Sequence, residues 1–132
     1  MADPEEIQEW LKKSEEDWTA ARVLLESGEE LALPCLFHPQ QMTKKLLKAL
    51  ILVAGNKPDR THDMHQLSTT AGVLDIPGFI DLVETLNLYA VNARYPGDFP
   101  DVSVSDARAC FEDARRYREE LLRRLSDPQC PQ

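Results

Sequence analysis

Only three cysteines occur in the chain, Cys35, Cys110 and Cys130, and no two of them sit at a short spacing. An odd and scattered set supports neither a disulfide framework nor a zinc site, so reduced thiols in a cytoplasmic protein are expected. Long apolar runs are lacking too. The longest, from Leu46 to Gly55, is broken by Lys48 and falls short of the roughly 20 residues that a transmembrane helix needs. The first residues are charged from Asp3 onward and do not follow the basic-then-apolar layout of a signal peptide, so neither secretion nor membrane insertion is expected. Basic charge is also in short supply. With 23 acidic against 15 basic residues the net charge is −8, which repels a polyanion over the whole surface and argues against tight non-specific nucleic-acid binding. Any nucleotide site has to be local. Strand signals are missing as well: no stretch sustains a period-two alternation rich in β-branched residues, and no repeat typical of solenoids or propellers is present.

What the chain does have is helical patterning over most of its 132 residues, a length that suits one domain. At 42% hydrophobic it can bury a core without metal or disulfide, since roughly 68% of the unfolded surface of such a domain disappears on folding. Asp3, Pro4 and Glu6 read as an N-cap, a first-turn proline and the acid of a capping box. Ile7, Trp10, Leu11, Trp18, Ala21, Leu24 and Leu25 then recur at three- and four-residue intervals until Gly28 offers a C-cap.

A second helix is expected from about Pro34 to Ala54, stopped by Gly55 and Pro58. Its wide apolar face places it centrally. Pro39 conflicts with that reading, because an interior proline removes a hydrogen bond at a cost of ~3 kcal/mol, so a kink or a helix start near His38 is expected. Thr61 is read as the cap of a short third helix, Pro77 as the opening of a fourth running to Ala93, and Ser103 with Asp106 as a capping box for a fifth. On the fifth helix Ala107, Cys110, Phe111, Ala114, Leu121 and Leu125 make the apolar stripe, and the arginines between them make a solvated face. The expected fold is therefore all-α, an up-down four-helix bundle with an additional short helix, over residues 1–126, followed by a flexible tail at 127–132.

Polar residues cluster in three places. On the second helix, His38, Gln41, Lys45 and Lys48 fall at three- and four-residue spacings along one stripe, and Gln40 and Gln41 carry amides that need partners if buried. A second cluster is Arg60-Thr61-His62-Asp63-Met64 with His65. The third is Tyr89 followed by Arg94-Tyr95-Pro96-Gly97-Asp98.

Phe37-His38-Pro39-Gln40-Gln41, then Lys45-Leu46-Leu47-Lys48-Ala49-Leu50, then Thr61-His62-Asp63, then Tyr89 and Arg94-Tyr95-Pro96-Gly97-Asp98 resemble, in this order, the HEPN (higher eukaryotes and prokaryotes nucleotide-binding) domain family. The likeness covers about Trp10 to Leu122. It implies a bundle of four or five helices, commonly a homodimer, often encoded beside a minimal nucleotidyltransferase partner and associated with toxin–antitoxin pairs. Some members are ribonucleases that use an arginine, four to six residues and a histidine at the loop into the last long helix. This sequence departs from that pattern, because Phe99, Pro100 and Asp101 stand where the histidine would follow Arg94. Members of the family more often carry an acidic residue where Lys44 stands.

Each candidate has a binding reading and a structural one. Arg94 beside an aromatic ring can grip phosphate bidentately or stack on a base, or it can cap the helix and pair with Asp98. Tyr89 can stack a base or fill the core. His38 can contact a base or phosphate or pack as a polar core residue. His62 and His65, one turn apart with Asp63 between, would need a further ligand to hold a metal, and helix capping by Thr61 and Asp63 is the better reading. Arg60 and His65 satisfy the nuclease spacing but straddle a helix start. The residues assigned to nucleotide binding are His38, Gln41, Lys45, His62, Asp63, Tyr89 and Arg94, with no metal and no cofactor. The expected function is a nucleotide-binding or partner-binding module acting with a minimal nucleotidyltransferase. The alternatives are a metal-independent ribonuclease toxin acting on RNA and a structural homodimer subunit without ligand.

Overall fold

The computed structural model describes residues 3–27, 32–58, 60–61, 63–92 and 103–126. Within them lie five helices: α1 (Pro4–Glu26), α2 (Ala32–Val53), α3 (Met64–Ala71), α4 (Phe79–Asn92) and α5 (Val104–Ser126). Helices α1, α2, α4 and α5 run alternately up and down, and α3 is the short addition between α2 and α4. The direction of each is fixed by its cross-helix contacts. Asp17 meets His38 and Trp10 lies under Lys48, so α1 and α2 are antiparallel. Trp18 stacks on Phe111 while Arg118 reaches back to Glu15, so α1 and α5 are antiparallel as well. The all-α bundle expected from the sequence is what is found, with α2 packed by all four other helices.

The helix ends follow local chemistry. The Asp3 carboxylate accepts from the Glu5 amide at 2.9 Å, Pro4 follows it, and Glu5 and Glu6 lie at the positive end of the helix dipole. The C-cap of α1 is Ser27, whose amide bonds to the Leu24 carbonyl. Gly28, expected as the cap, lies outside the described residues, as do the tail at 127–132 and Cys130. At the end of α2, the Gly55 amide bonds to Leu52 and the Asn56 amide to Ile51. This double closure needs the left-handed φ of +85° that glycine takes at little cost.

Three expectations need correction. Helix α2 does not start near His38; it starts at Ala32, close to the expected Pro34, and contains Pro39. The proline forgoes only the bond to the Cys35 carbonyl. Against that loss of ~3 kcal/mol, Leu36, Met42, Leu46, Leu47 and Ile51 are fully buried, each worth about 1.5–3 kcal/mol. The N-cap of α3 is Asp63 and not Thr61, although both take part in the capping as expected: Asp63 accepts from the amides of His65 and Gln66, and Thr61 accepts from the Asp63 amide. Helix α4 begins at Phe79, because Pro77 and Gly78 belong to the preceding turn. The expected box at α5 is present in its first half, with Ser103 Oγ accepting from the Asp106 amide at 3.0 Å.

The core is one continuous cluster. Helix α1 contributes Trp18, Ala21 and Leu25, α4 contributes Phe79, Val83 and Leu86, and α5 contributes Ala107, Phe111, Ala114 and Leu121 around the apolar face of α2. The Trp18 and Phe111 rings stack with centroids 4.3 Å apart and planes 11° from parallel. Cys35 and Cys110 are buried thiols, pushed up to about 11 and about 12 chiefly by burial, so both stay protonated and unreactive at neutral pH.

The arginines of α5 are not a uniform solvated face. Arg115, Arg116 and Arg123 pair with carboxylates on α5 itself, but Arg118 and Arg124 reach other elements. Arg118 binds Glu15 and lies over the Trp18 ring. Arg124 forks onto both oxygens of Asp75, at 3.1 and 2.9 Å, and holds Glu120 at 3.2 Å, which pins the end of α5 to the α3–α4 turn. That turn is held again by Tyr117, whose hydroxyl donates to the Pro77 carbonyl at 2.7 Å.

Two tests follow from these ties. Gly78 has φ of +78°, and a methyl there would overlap the Tyr117 hydroxyl. Gly78→Ala combines left-handed strain with displacement of the bond to Pro77, so about 2 kcal/mol should be lost in urea unfolding, against about 1 kcal/mol for Tyr117→Phe. Hydrogen bonds from Arg123 and then Arg124 hold the Glu120 carboxyl at about 2 instead of its ordinary 4.5, and Arg124 likewise lowers Asp75. A depressed folded value gives stability that is fully present above pH 4.5 and is lost as pH falls toward 2. The melting temperature should decline through that window, and Glu120→Gln should make the decline shallower.

Candidate functional site

Helix α2 presents its polar stripe to α1. Its residues His38, Gln41, Lys45 and Lys48 follow helical spacing, and α1 faces them with Trp10, Ser14 and Asp17, which repeat in the same way. Asp17 is the centre of the contact. One carboxylate oxygen lies 2.9 Å from His38 Nδ1, and the other accepts from Lys45 Nζ at 2.5 Å. The aspartate side chain is only 12% exposed, against 29% for His38 and 23% for Lys45, so the pairing is partly shielded from water and screened less than a surface bridge.

The flanking residues are also engaged. Gln41 Nε2 donates to Gln40 Oε1 at 2.6 Å, which partly satisfies the buried Gln40 amide. Thr43 Oγ1 donates to the Pro39 carbonyl at 2.8 Å. Lys48 stands 4.9 Å from the centre of the Trp10 ring, a cation–π contact, and burial with the nearby Lys45 charge lowers its pKa. Among the described residues, no buried side-chain nitrogen or oxygen is left without a partner.

Of the residues assigned from sequence, His38, Gln41 and Lys45 therefore come together on the α1–α2 seam. Asp63 stands apart from them, with its carboxylate turned to the first amides of α3. Tyr89 is half-buried and lines a groove between α4 and α5. His62 and Arg94 lie outside the described residues. Asp17 was missed from sequence, although it sits seven residues after Trp10 on the face that also carries Ser14 and Ala21. An acid inside an otherwise core-facing stripe was the available signal.

Grooves lined by described residues flank α5. Between α1 and α5, a groove of about 330 Å³ is lined by Arg22, Arg108, Glu26 and Glu112 over Leu25 and Phe111. Between α4 and α5, one of about 440 Å³ is lined by Asp81, Asp106 and Asp113 over an apolar floor. No group of three or more histidine, cysteine, aspartate or glutamate side chains among the described residues is arranged to hold a metal ion. No helix among them is long and apolar enough to cross a membrane.

Comparison with known families matches the HEPN domain over residues 7–125. Among solved structures, an archaeal HEPN homologue has a similar fold, with a TM-score of 0.62 at 22% identity, over 91% of this chain and 98% of that one. A comparison with curated proteins finds no match.

The seam generates a stability test. Asp17→Ala strands the His38 ring and the Lys45 ammonium in a partly shielded site, between the cost of breaking an exposed pair and that of breaking a buried one. About 2 kcal/mol should be lost in urea unfolding. Asp17→Asn, which keeps an acceptor, should lose less.

Proposed function

The chain belongs to the HEPN domain family, and from that membership we propose that it is a non-catalytic binding module of the cytoplasm. It holds a nucleotide, or docks the nucleotide-handling partner, a minimal nucleotidyltransferase, in a toxin–antitoxin type pair. The observation that carries this reading is the Asp17 clamp. His38 and Lys45, the histidine and a lysine of the motif on α2, are both bonded to one carboxylate and serve to fix α1 against α2. The Nδ1 edge of His38 is spent on Asp17 in a seam that leaves its side chain 29% exposed, which supports an architectural role for the ring.

The absence of a histidine at the nuclease spacing after Arg94 points the same way. So does the acidic balance of the chain, which opposes a long polyanion but not a single nucleotide or a basic protein. One observation favours the ribonuclease alternative. Arg60 and His65 are both exposed, and their spacing meets the arginine–histidine pattern.

A thermal-shift titration with ATP, other nucleotides and a short RNA, run beside an RNA-cleavage assay, separates these readings. The expected result is no cleavage, together with stabilisation by a nucleotide, roughly 2.7 kcal/mol at 100-fold over its dissociation constant. Arg94→Ala should abolish that shift. Cleavage that disappears in His65→Ala would replace the reading with the ribonuclease. A chain that answers neither to nucleotides nor to a purified minimal nucleotidyltransferase is a structural subunit.

A further inference from the structure

The groove between α4 and α5 has a charge pattern unlike that of the α1–α5 groove. Its floor is built from Leu82, Cys110 and the rings of Tyr89 and Tyr117. Its rim carries Asp81 from α4 and Asp106 and Asp113 from α5, and among the described residues neither lysine nor arginine lines it. The α1–α5 groove makes the contrast plain, because there Arg22 and Arg108 balance Glu26 and Glu112. Most arginines of α5 are committed to carboxylates elsewhere, namely Arg115, Arg118, Arg123 and Arg124. Arg116 pairs with Asp113, but its side chain is 63% exposed and it does not line the groove. Among the described residues, Asp81 and Asp106 have no ion pair, and each lies in the first turn of its helix.

The chemistry of an occupant follows from the lining. Phosphate is repelled by three carboxylates, which rules against a nucleic acid. A bound metal ion is disfavoured too, since these carboxylates do not converge as a set of metal ligands. Lysine and arginine side chains of a protein fit both parts: their methylene stems lie on the apolar floor while their charged heads reach the rim. We propose that the α4–α5 groove docks a basic segment of a partner protein, which places its lysine or arginine side chains between Asp81, Asp106 and Asp113. This rests on the partner-binding arm of the proposed function and assigns it a surface. Complementary charge at such a rim speeds encounter and fixes register, and its effect weakens with salt.

The probe is a labelled amphipathic peptide of about 15 residues, long enough to form a helix, with leucine and lysine at helical spacing. Its counterpart carries glutamate for every lysine. Binding to the full chain is followed by fluorescence anisotropy at low and high salt. The lysine peptide should bind and the glutamate peptide should not. The triple variant Asp81→Asn, Asp106→Asn, Asp113→Asn should weaken binding by roughly tenfold or more. The control triple Glu5→Gln, Glu6→Gln, Glu16→Gln removes equal charge from α1 and should leave binding nearly unchanged. Ala109→Arg, which puts a cation into the groove on an exposed position of α5, should also block the peptide. Circular dichroism confirms that each variant is folded.

Equal weakening by both triples would reduce the effect to general attraction and overturn the proposal, as would failure of the lysine peptide to bind. Loss of a dimer of the chain itself in the groove triple, seen by sedimentation, would make a second copy the occupant and overturn it too. RNA cleavage by the wild type with groove-dependent peptide binding would remove the non-catalytic reading and leave the groove assignment standing.

Discussion

Helix α2 is surrounded by the four other helices, so each polar group it carries must find a partner inside the molecule. That constraint organises the rest of the structure. His38 and Lys45 take Asp17, Gln41 takes Gln40, Thr43 takes the backbone next to the proline, and Lys48 takes the face of Trp10. The apolar residues on the remaining faces supply the burial that lets a proline sit inside the helix. Because its polar stripe faces α1 alone, α1 must run antiparallel to α2 in one register. A slide by one turn would separate Asp17 from both of its cations.

Once α1 and α2 are fixed, α5 has a place to go. Its aromatic Phe111 closes over Trp18, and Arg118 covers the outer side of the same tryptophan while bonding Glu15. The far end of α5 is then tied to the turn between α3 and α4 by Arg124 and Tyr117. Arginine suits the Arg124 position because its fork can satisfy both oxygens of Asp75 at once, which a lysine cannot do. The turn also holds the start of α4, so the α4–α5 groove has a well-defined end beside Gly78.

Much of the fold was legible in the sequence because helices announce themselves by period and by caps. The stripe from Trp18 to Leu25, the Gly55 stop and the Ser103 cap needed only local chemistry. Whether α2 continues through Pro39 was not legible, because the proline is a strong local signal that distant packing outweighs. The family likeness was readable from the order of the motifs. Less of the candidate site could be read. Spacing put His38, Gln41 and Lys45 on one stripe, and they do share a seam, but no periodicity on α2 could say that an aspartate on α1 would hold two of them. Such a partner is a tertiary fact, visible in sequence only as an acid on a face otherwise given to the core. Likewise, the arginines of α5 look alike in sequence, yet some bridge helices and others pair only with their own.

The distribution of charge carries the argument from fold to function. A net charge of −8 would by itself say only that polyanions are disfavoured. The structure shows where the charge is neutralised and where it is not. Along the α1–α2 seam and the outer face of α5, acids meet bases and the local field is small. In the α4–α5 groove Asp113 meets Arg116, but among the described residues Asp81 and Asp106 meet no base, and Leu82 and Cys110 lie among the lining residues. A surface of that kind is costly to hydrate on its floor and repulsive along its rim, and a partner bearing cations on apolar stems relieves both at once. The α2 cluster noticed first in the sequence is therefore taken up in holding α1 against α2, while less conspicuous residues, three aspartates spread over two helices, shape an open groove among the described residues.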